Sequence, residues 1–307
     1  MKPIFFSFCL LMSAIFAYAQ EPDKALIKVQ YNLIHIRDTT QKNKPYTESM
    51  VLIAGKNSSW YTSYDKMNLI INNTIRSVEA RNSGTPISVP LKPTSSFLQE
   101  EYYYYFNEHK FISKEALAIQ YLVDEDNDKI NWNILKDTLS FSGIACQKAI
   151  TTFKGRNWIA WFATDLPFST GPWKLNGLPG LILEAYDNKK EVQFKFGGIE
   201  NIKPGDLLTD NAHSLPDYMQ KGITGVSIST VPIPKEQPGS HGGPVKISQK
   251  EYEKLKAASD KDPEGFKAAQ YASFGISIPR SSSNGSQSSV QKPPVANINN
   301  PIELSKK

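Results

Sequence analysis

The stretch ACQKAITTFKGRNWIAWFATDLPFSTGPWKLNGLPGLILEAYD, residues 145–187, decides the fold class. It contains three runs rich in β-branched and aromatic residues, at 145–154, 157–168 and 181–187, and a tight turn at 155–157 joins the first two. Runs of this kind, bounded by Gly, Asn and Pro, are typical of β-strands. Strands joined by short turns pair in antiparallel fashion, so the stretch predicts part of an antiparallel sheet.

Strand patterns extend from this stretch in both directions. Residues 25–38 alternate along the chain with a period of two, which indicates a half-buried strand, whereas residues 65–100 favour neither helix nor strand. A turn at 124–129 is predicted to join two paired strands, at 116–123 and 130–135. Strands do not alternate with long helices, which argues against a parallel α/β sheet. The sequence therefore predicts a mainly β protein, an antiparallel meander that forms a curved sheet or half barrel. Further strands are predicted at 49–55, 58–64, 100–112 and 192–200.

The first 19 residues have the pattern of a secretory signal peptide. Lys2 is followed by an apolar run at 4–16 and by the small-residue cleavage site AYA at 17–19. Cys9 lies inside the apolar run and does not follow it, so no lipid attachment is predicted. No later run reaches the roughly 18 apolar residues of a spanning helix, so no transmembrane segment is predicted. We expect export through a cleaved signal peptide to the periplasm or the outer membrane.

The remainder is predicted to form a single β-rich domain at 20–278, with a Pro/Gly-rich linker at 231–244. Ser248 and Glu251 have the spacing of a capping box, which predicts helix over 248–274, one or two helices near the C-terminus. Residues 279–307 are rich in Ser, Asn and Pro and hold too few apolar side chains to fold, so they are predicted to be a flexible tail.

Charge and composition argue against a nucleic-acid partner. The whole chain has a formal net charge of +5, and its basic residues are spread along the sequence without a cluster. The chemistry-bearing residues also show no catalytic or metal-binding pattern. Histidines 35, 109, 213 and 241 lack zinc-site spacing, the acidic turn at 124–129 lacks the Gly and Glu of a calcium loop, and Cys146 has no flanking base. No catalytic residue, metal or cofactor is therefore assigned.

The glycines at 171–180 resemble a phosphate loop only superficially. A phosphate loop follows a strand and opens a helix, whereas a strand pattern follows here. Pro179 and Gly180 instead predict a type II turn, with positive φ at Gly180 and a close chain approach at Gly177. We assign these three residues a structural role.

Aromatic and charged side chains crowd the stretch 156–174. Trp158 and Trp161 lie three residues apart in one strand and so point to opposite faces, which places one in the core. The other lines a cavity or groove, or fills a second core beneath the C-terminal region. The candidate ligand-binding residues are Trp158, Trp161, Trp173, Lys174, Arg156 and Asp165.

The stretch 145–187, with GLPGLI at 177–182, resembles the GLPGLI family of exported bacterial proteins of unknown function. The ending NNPIEL at 299–304 is also similar to that family's usual ending. The resemblance implies secretion in Gram-negative bacteria and a β-rich fold, and it supplies no catalytic residues. It also suggests that Ile302 and Leu304 dock on the sheet. By fold analogy alone, a GLP turn within a meander looks like the half barrel of lipoprotein carriers.

These observations favour a secreted or periplasmic non-enzymatic binding or accessory protein. Its aromatic-lined concave face would hold an apolar small molecule or a peptide. One alternative is a hydrolase-type enzyme that uses Asp165 or a histidine with Arg156. The other is a structural partner of an outer-membrane receptor.

Overall fold

A computed structural model describes residues 22–84, 96–126, 129–234, 243–273 and 298–304. The predicted signal peptide at 1–19, His241 and part of the acidic turn at 124–129 lie outside these residues. The described residues form one curved, open sheet of twelve strands with four α-helices, two of them near the C-terminus. The prediction of a mainly β, curved sheet is thus confirmed.

The elements run along the chain as follows. The strands are β1 Ala25–His35, β2 Tyr46–Gly55, β3 Ser58–Ser63, β4 Glu101–Tyr105, β5 Lys110–Ala116, β6 Gln120–Glu125, β7 Asn133–Phe141, β8 Ile144–Phe153, β9 Arg156–Ala163, β10 Leu181–Asp187, β11 Val192–Asn201 and β12 Val245–Ser248. The helices are α1 Tyr64–Ser83, α2 Asp217–Gly222, α3 Gln249–Lys261 and α4 Pro263–Ser273, with a 3-10 turn at Asp210–Ser214.

Two antiparallel meanders, β1–β6 and β7–β11, make up the sheet. They join where β1 pairs with β11, and β12 adds to β6 in parallel, which gives the order β12-β6-β5-β4-β3-β2-β1-β11-β10-β9-β8-β7. The predicted pairing of 116–123 with 130–135 is wrong. Strand β6 pairs with β5 and β12, whereas β7 pairs with β8 at the far edge of the sheet.

The short connection between β6 and β7 explains the curvature. Residues 126–132 span at most about 30 Å, yet they link strands from opposite edge regions of the order. The sheet must therefore curl until these regions approach each other. Two contacts join the β6–β7 region to the loop between β9 and β10. Trp132 Nε1 donates to the Asn176 carbonyl at 2.8 Å, and Lys174 Nζ lies 2.5 Å from Glu125 Oε2.

Both faces of the central strands are buried. Met50 and Leu52 of β2 belong to the concave core, while Val51 and Ile53 belong to a convex core that includes Met67 of α1. Side chains alternate between the faces of a strand, so residues 50–54 of β2 are all apolar because each face has a cover there. Helix α1 accounts for the first part of the ambiguous stretch 65–100, of which residues 85–95 lie outside the described part. Ser63 Oγ caps its first turn by accepting from the Lys66 amide, and the helix ends at Gly84 with φ of 64°.

The GLPGLI turn differs from the type II turn that the sequence predicts. Gly177 has a φ of 86°, whereas Gly180 does not have a positive φ. Gly180 is required for a different reason, because a Cβ there would overlap the Ala163 carbonyl oxygen across the β9–β10 pair. A Cβ on Gly177 would meet open space. The two glycines therefore exchange the roles assigned to them, and Pro179 lies between them.

The described parts of the C-terminal third make contacts that its composition does not predict. The capping box at Ser248 and Glu251 is present, and Asp262 separates α3 from α4. Within the predicted linker, Val231 packs in the convex core, and residues 235–242 lie outside the described part. The predicted flexible tail also lies largely outside it. Its residues 298–304, called here the C-terminal segment, do not behave as a tail, because they pack against the sheet.

Candidate functional site

A cavity of about 460 Å³, called here the inner cavity, lies on the concave face. Its walls come from β1–β6, β11, α3, the loop at 173–174 and the C-terminal segment. Small-molecule sites commonly have this size and an apolar wall with a few polar groups. The apolar and aromatic part of the wall consists of Leu33, Met50, Tyr61, Leu98, Tyr102, Val123, Trp173, Phe194, Tyr252, Ile298, Pro301 and Ile302.

Arg156 fastens the C-terminal segment that closes one side of the cavity. It is only 4% exposed, and its Nε donates to the Ile302 carbonyl at 2.8 Å. Its Nη2 donates to Asn300 Oδ1 at 2.7 Å and to the Pro301 carbonyl at 2.6 Å. The fixed fork of donors in a guanidinium suits this kind of multiple contact. Arg156 therefore holds the chain and not a ligand.

His35 makes a second attachment to the same segment. Its Nε2 donates to the Asn300 carbonyl at 2.7 Å, and Asn300 Nδ2 donates to the Ile36 carbonyl at 2.7 Å. Burial lowers the pKa of His35 to about 4, and the hydrogen bond to Asn300 opposes that shift only in part. The imidazole is therefore neutral near pH 7.

Lys174 joins the wall of the cavity to the C-terminal segment. Its Nζ lies 2.5 Å from Glu125 Oε2 and 2.6 Å from Glu303 Oε1, so it links β6 to the C-terminal segment. Burial lowers the pKa of Lys174, but the carboxylates of Glu125 and Glu303 outweigh it and keep the pKa above the ordinary value. The two most buried charges, on Lys174 and Glu125, thus neutralise each other, and the more exposed Glu303 adds a second carboxylate.

Two further carboxylates, Glu100 and Glu115, line the cavity. Burial and then the neighbouring Glu100 raise the pKa of Glu115 to about 8, against the opposing effect of Lys174. The hydroxyl of Tyr252 on α3 donates to Glu115 Oε2 at 3.4 Å. The site thus combines an aromatic wall with one carboxyl that titrates near neutral pH.

The structure separates the sequence-predicted site residues into three groups. Trp173 and Lys174 line the inner cavity. Trp158 lies in the concave core, with its ring 5.5 Å from that of Trp173 and 6.1 Å from that of Phe194. Trp161 is half-buried, with Lys148 Nζ 5.8 Å from its ring centroid, and does not line the cavity. Ligand contact by Trp173 and Lys174 stays a prediction.

Arg156 and Asp165, the pair considered for a hydrolase, do not meet. Arg156 begins β9 and forms a buried ion pair with Asp187, whereas Asp165 is exposed in the turn after the same strand. The strand alone separates them by about 23 Å. This arrangement gives no paired catalytic groups at these positions.

Sequence reasoning missed Glu100, Glu115, Tyr61 and Tyr102. A signal was present in EEYYYY at 100–105, where Glu100 and Tyr102 share one strand face by alternation. Recognising Glu115 needed the β4–β5 register, which pairs Glu101 with Lys114.

The remaining candidates add no second site within the described residues. Cys146 is buried, and burial raises the pKa of its thiol to about 11. Among the residues that the structure describes, no three His, Cys, Asp or Glu side chains gather as a metal site. None of the described helices has both the length and the apolar character needed to cross a bilayer.

A family model described as a protein of unknown function (Porph_ging) matches residues 109–184. This agrees with the resemblance to a family of unknown function, although the name GLPGLI is not the name of the matching model. The match includes β5–β9 and the turn that leads into β10. No curated protein matches the sequence.

Two solved structures of PNGF-II are weakly similar. The structure in the P21 space group is 15% identical with a TM-score of 0.41, and the match covers 59% of this chain and 29% of that one. The structure in the C2 space group is 13% identical with a TM-score of 0.43, covering 75% of this chain and 32% of that one. The matched part is thus less than a third of either PNGF-II chain, and similarity at this level carries no functional inference.

Proposed function

We propose that this protein is an exported, non-enzymatic binding protein that holds an apolar small molecule or peptide in the inner cavity. The observation that carries the proposal is the cavity itself, about 460 Å³ in volume, between the concave sheet face, α3 and the C-terminal segment. Export is supported by the signal-peptide pattern at 1–19.

The charged groups around the cavity support binding over catalysis. Arg156 is engaged by Asp187 and the C-terminal segment, and Lys174 is engaged by two carboxylates. Neither basic group is available to a reacting centre. An apolar wall with few polar groups suits retention of a ligand by burial of its surface.

The test uses N-phenylnaphthylamine, a neutral apolar dye that fluoresces when it leaves water. We expect saturable binding by the mature protein and at least about a tenfold loss in Leu98→Trp, which places a larger side chain in the cavity. Leu139→Trp is the matched control, because Leu139 is exposed on β7 and away from the cavity. Absence of dye binding, or equal loss in the two variants, would refute the proposal.

A second candidate, a structural partner of an outer-membrane receptor, is favoured by the edge strand β7. Within the described residues β7 pairs only with β8, and it exposes Ile134 (44%) and Leu139 (46%). Exposed apolar edge strands are ready templates for pairing with another chain. We expect Ile134→Lys to reduce co-sedimentation with outer-membrane vesicles, with Tyr218→Lys on α2 as the control. Unchanged co-sedimentation would remove this candidate.

A further inference from the structure

Two carboxylates in the inner cavity lie side by side without a cation. Strand β4 pairs Glu101 with Lys114 in antiparallel register, so Glu100 and Glu115 are the next neighbours outward, and both line the cavity. Like charges opposite each other across two strands are destabilising. Among the described residues, neither Glu100 nor Glu115 forms an ion pair.

The basic side chains near this pair are already engaged or exposed. Lys174, the one that acts on Glu115, is held by Glu125 and Glu303. The described lining contains five glutamates and only three lysines and arginines. The cavity therefore keeps an excess of negative potential next to an aromatic wall.

Tyr61 on β3 belongs to the same wall. It is 2% exposed, and its hydroxyl is inaccessible, so the cavity meets the aromatic ring and not the hydroxyl. The ring centroid of Tyr61 lies 6.3 Å from that of Tyr102, which also lines the cavity. The two carboxylates therefore stand beside a continuous aromatic surface.

We propose that the inner cavity binds an organic amine, with its protonated nitrogen between Glu100 and Glu115 and its apolar body on the aromatic wall. This inference rests on the proposed function and names the class of ligand. Ammonium–carboxylate hydrogen bonds are charge-assisted, and aromatic faces such as that of Tyr102 attract cations.

The experiment compares three ligands of matched size by calorimetry at about pH 9, above the pKa of the Glu115 carboxyl. Phenylbutylamine is the cation, phenylbutanol the neutral isostere and phenylbutyrate the anion. We expect the amine to bind at least about tenfold more tightly than the alcohol, and the anion to bind most weakly.

Three variants locate the effect. Glu100→Gln and Glu115→Gln should each reduce the preference for amine over alcohol, because each removes one charge without changing the shape. Glu253→Gln is the matched control, since Glu253 lines the same cavity but is exposed on α3. N-phenylnaphthylamine binding should persist in all three, which shows that they remain folded.

The outcomes separate the two proposals. Equal binding of amine and alcohol, with dye binding retained, overturns the amine inference and leaves the proposed function standing. A preference that survives in both Glu100→Gln and Glu115→Gln also overturns it. Failure of the dye and of all three ligands to bind overturns both.

Discussion

Arg156 Nη1 lies 2.7 Å from Asp187 Oδ2, and both side chains are almost completely buried. Breaking such a pair by removing one partner leaves an uncompensated buried charge. We expect Arg156→Met to lower the free energy of unfolding by about 3–5 kcal/mol, measured by urea denaturation. Arg156→Met combined with Asp187→Asn should recover part of this loss, because the remaining charge is removed.

A more exposed ion pair on the same sheet provides the comparison. Lys148 Nζ lies 3.7 Å from Asp137 Oδ1, with side-chain exposures of 26% and 56%. Lys148→Met should cost no more than about 1 kcal/mol, because surface pairs contribute little. Similar losses in Arg156→Met and Lys148→Met would contradict the structural role assigned to Arg156.

The C-terminal segment should behave as part of the folded domain. Asn300 joins Arg156 and the Ile36 carbonyl through two side-chain hydrogen bonds and is 5% exposed. Asn300→Ala removes both hydrogen bonds; Arg156 keeps its bonds to Pro301, Ile302 and Asp187, whereas the Ile36 carbonyl loses its side-chain partner, so the change should cost about 1–3 kcal/mol. Limited proteolysis should then release the segment more readily in Asn300→Ala than in Asn299→Ala, which removes only exposed hydrogen bonds to Asp38 and Thr39. Release of the segment without any change in Tm would contradict this prediction.

Local patterns made the strands predictable, and long-range contacts made the site unpredictable. Alternation along 145–187 indicated paired strands, and β8, β9 and β10 do pair in sequence. The hairpin expected around 124–129 failed because β12, more than a hundred residues later, takes the free side of β6. The local sequence of β6 does not indicate which strand pairs with it, because strand pairing depends on tertiary context.

The candidate site was likewise predictable only where local sequence carried the information. Trp173 and Lys174 stood out because a simple turn leaves them unexplained, and both line the cavity. Arg156 also stood out, but its partners Asn300, Pro301 and Ile302 lie about 145 residues away in sequence. Its role as the attachment of the C-terminal segment depends on the folded chain and has no sequence signature.

Gly177 and Gly180 offer a matched pair of substitutions in one turn. Gly180→Ala places a Cβ against the Ala163 carbonyl oxygen, which the β9–β10 pairing holds in place. We expect a loss of about 3 kcal/mol, as for overpacking. Gly177→Ala meets open space but must adopt a φ of 86°, which should cost only about 1 kcal/mol. Thermal unfolding of both variants checks the order, and a larger loss in Gly177→Ala would show that the turn is assigned incorrectly.

The Glu115 carboxyl should make stability depend on pH. Its pKa is about 8 in the folded protein and lies at the ordinary value near 4.5 when the chain unfolds. Between these values the folded state binds the extra proton, so the free energy of unfolding falls as pH rises. The slope from this one group approaches about 1.4 kcal/mol per pH unit. The charged and titratable groups that line the cavity with it are Glu100, Glu125, Lys174, Tyr252, Tyr102, Tyr61, His35, Arg37, Glu253, Lys256 and Glu303.

Glu115→Gln removes this titration and leaves the others. His35 acts in the opposite direction, because its lowered pKa makes stability rise between about pH 4 and pH 6.5, but it is present in both proteins and cancels in the difference. The advantage of Glu115→Gln over the wild type should therefore grow steadily from about pH 5 to pH 8 in urea denaturation. Glu253→Gln, at an exposed position in the same cavity, should show a constant difference. Parallel pH profiles for Glu115→Gln and wild type would show that the Glu115 carboxyl is ionised throughout this range, and that the half-buried pair of Glu100 and Glu115 does not raise its pKa.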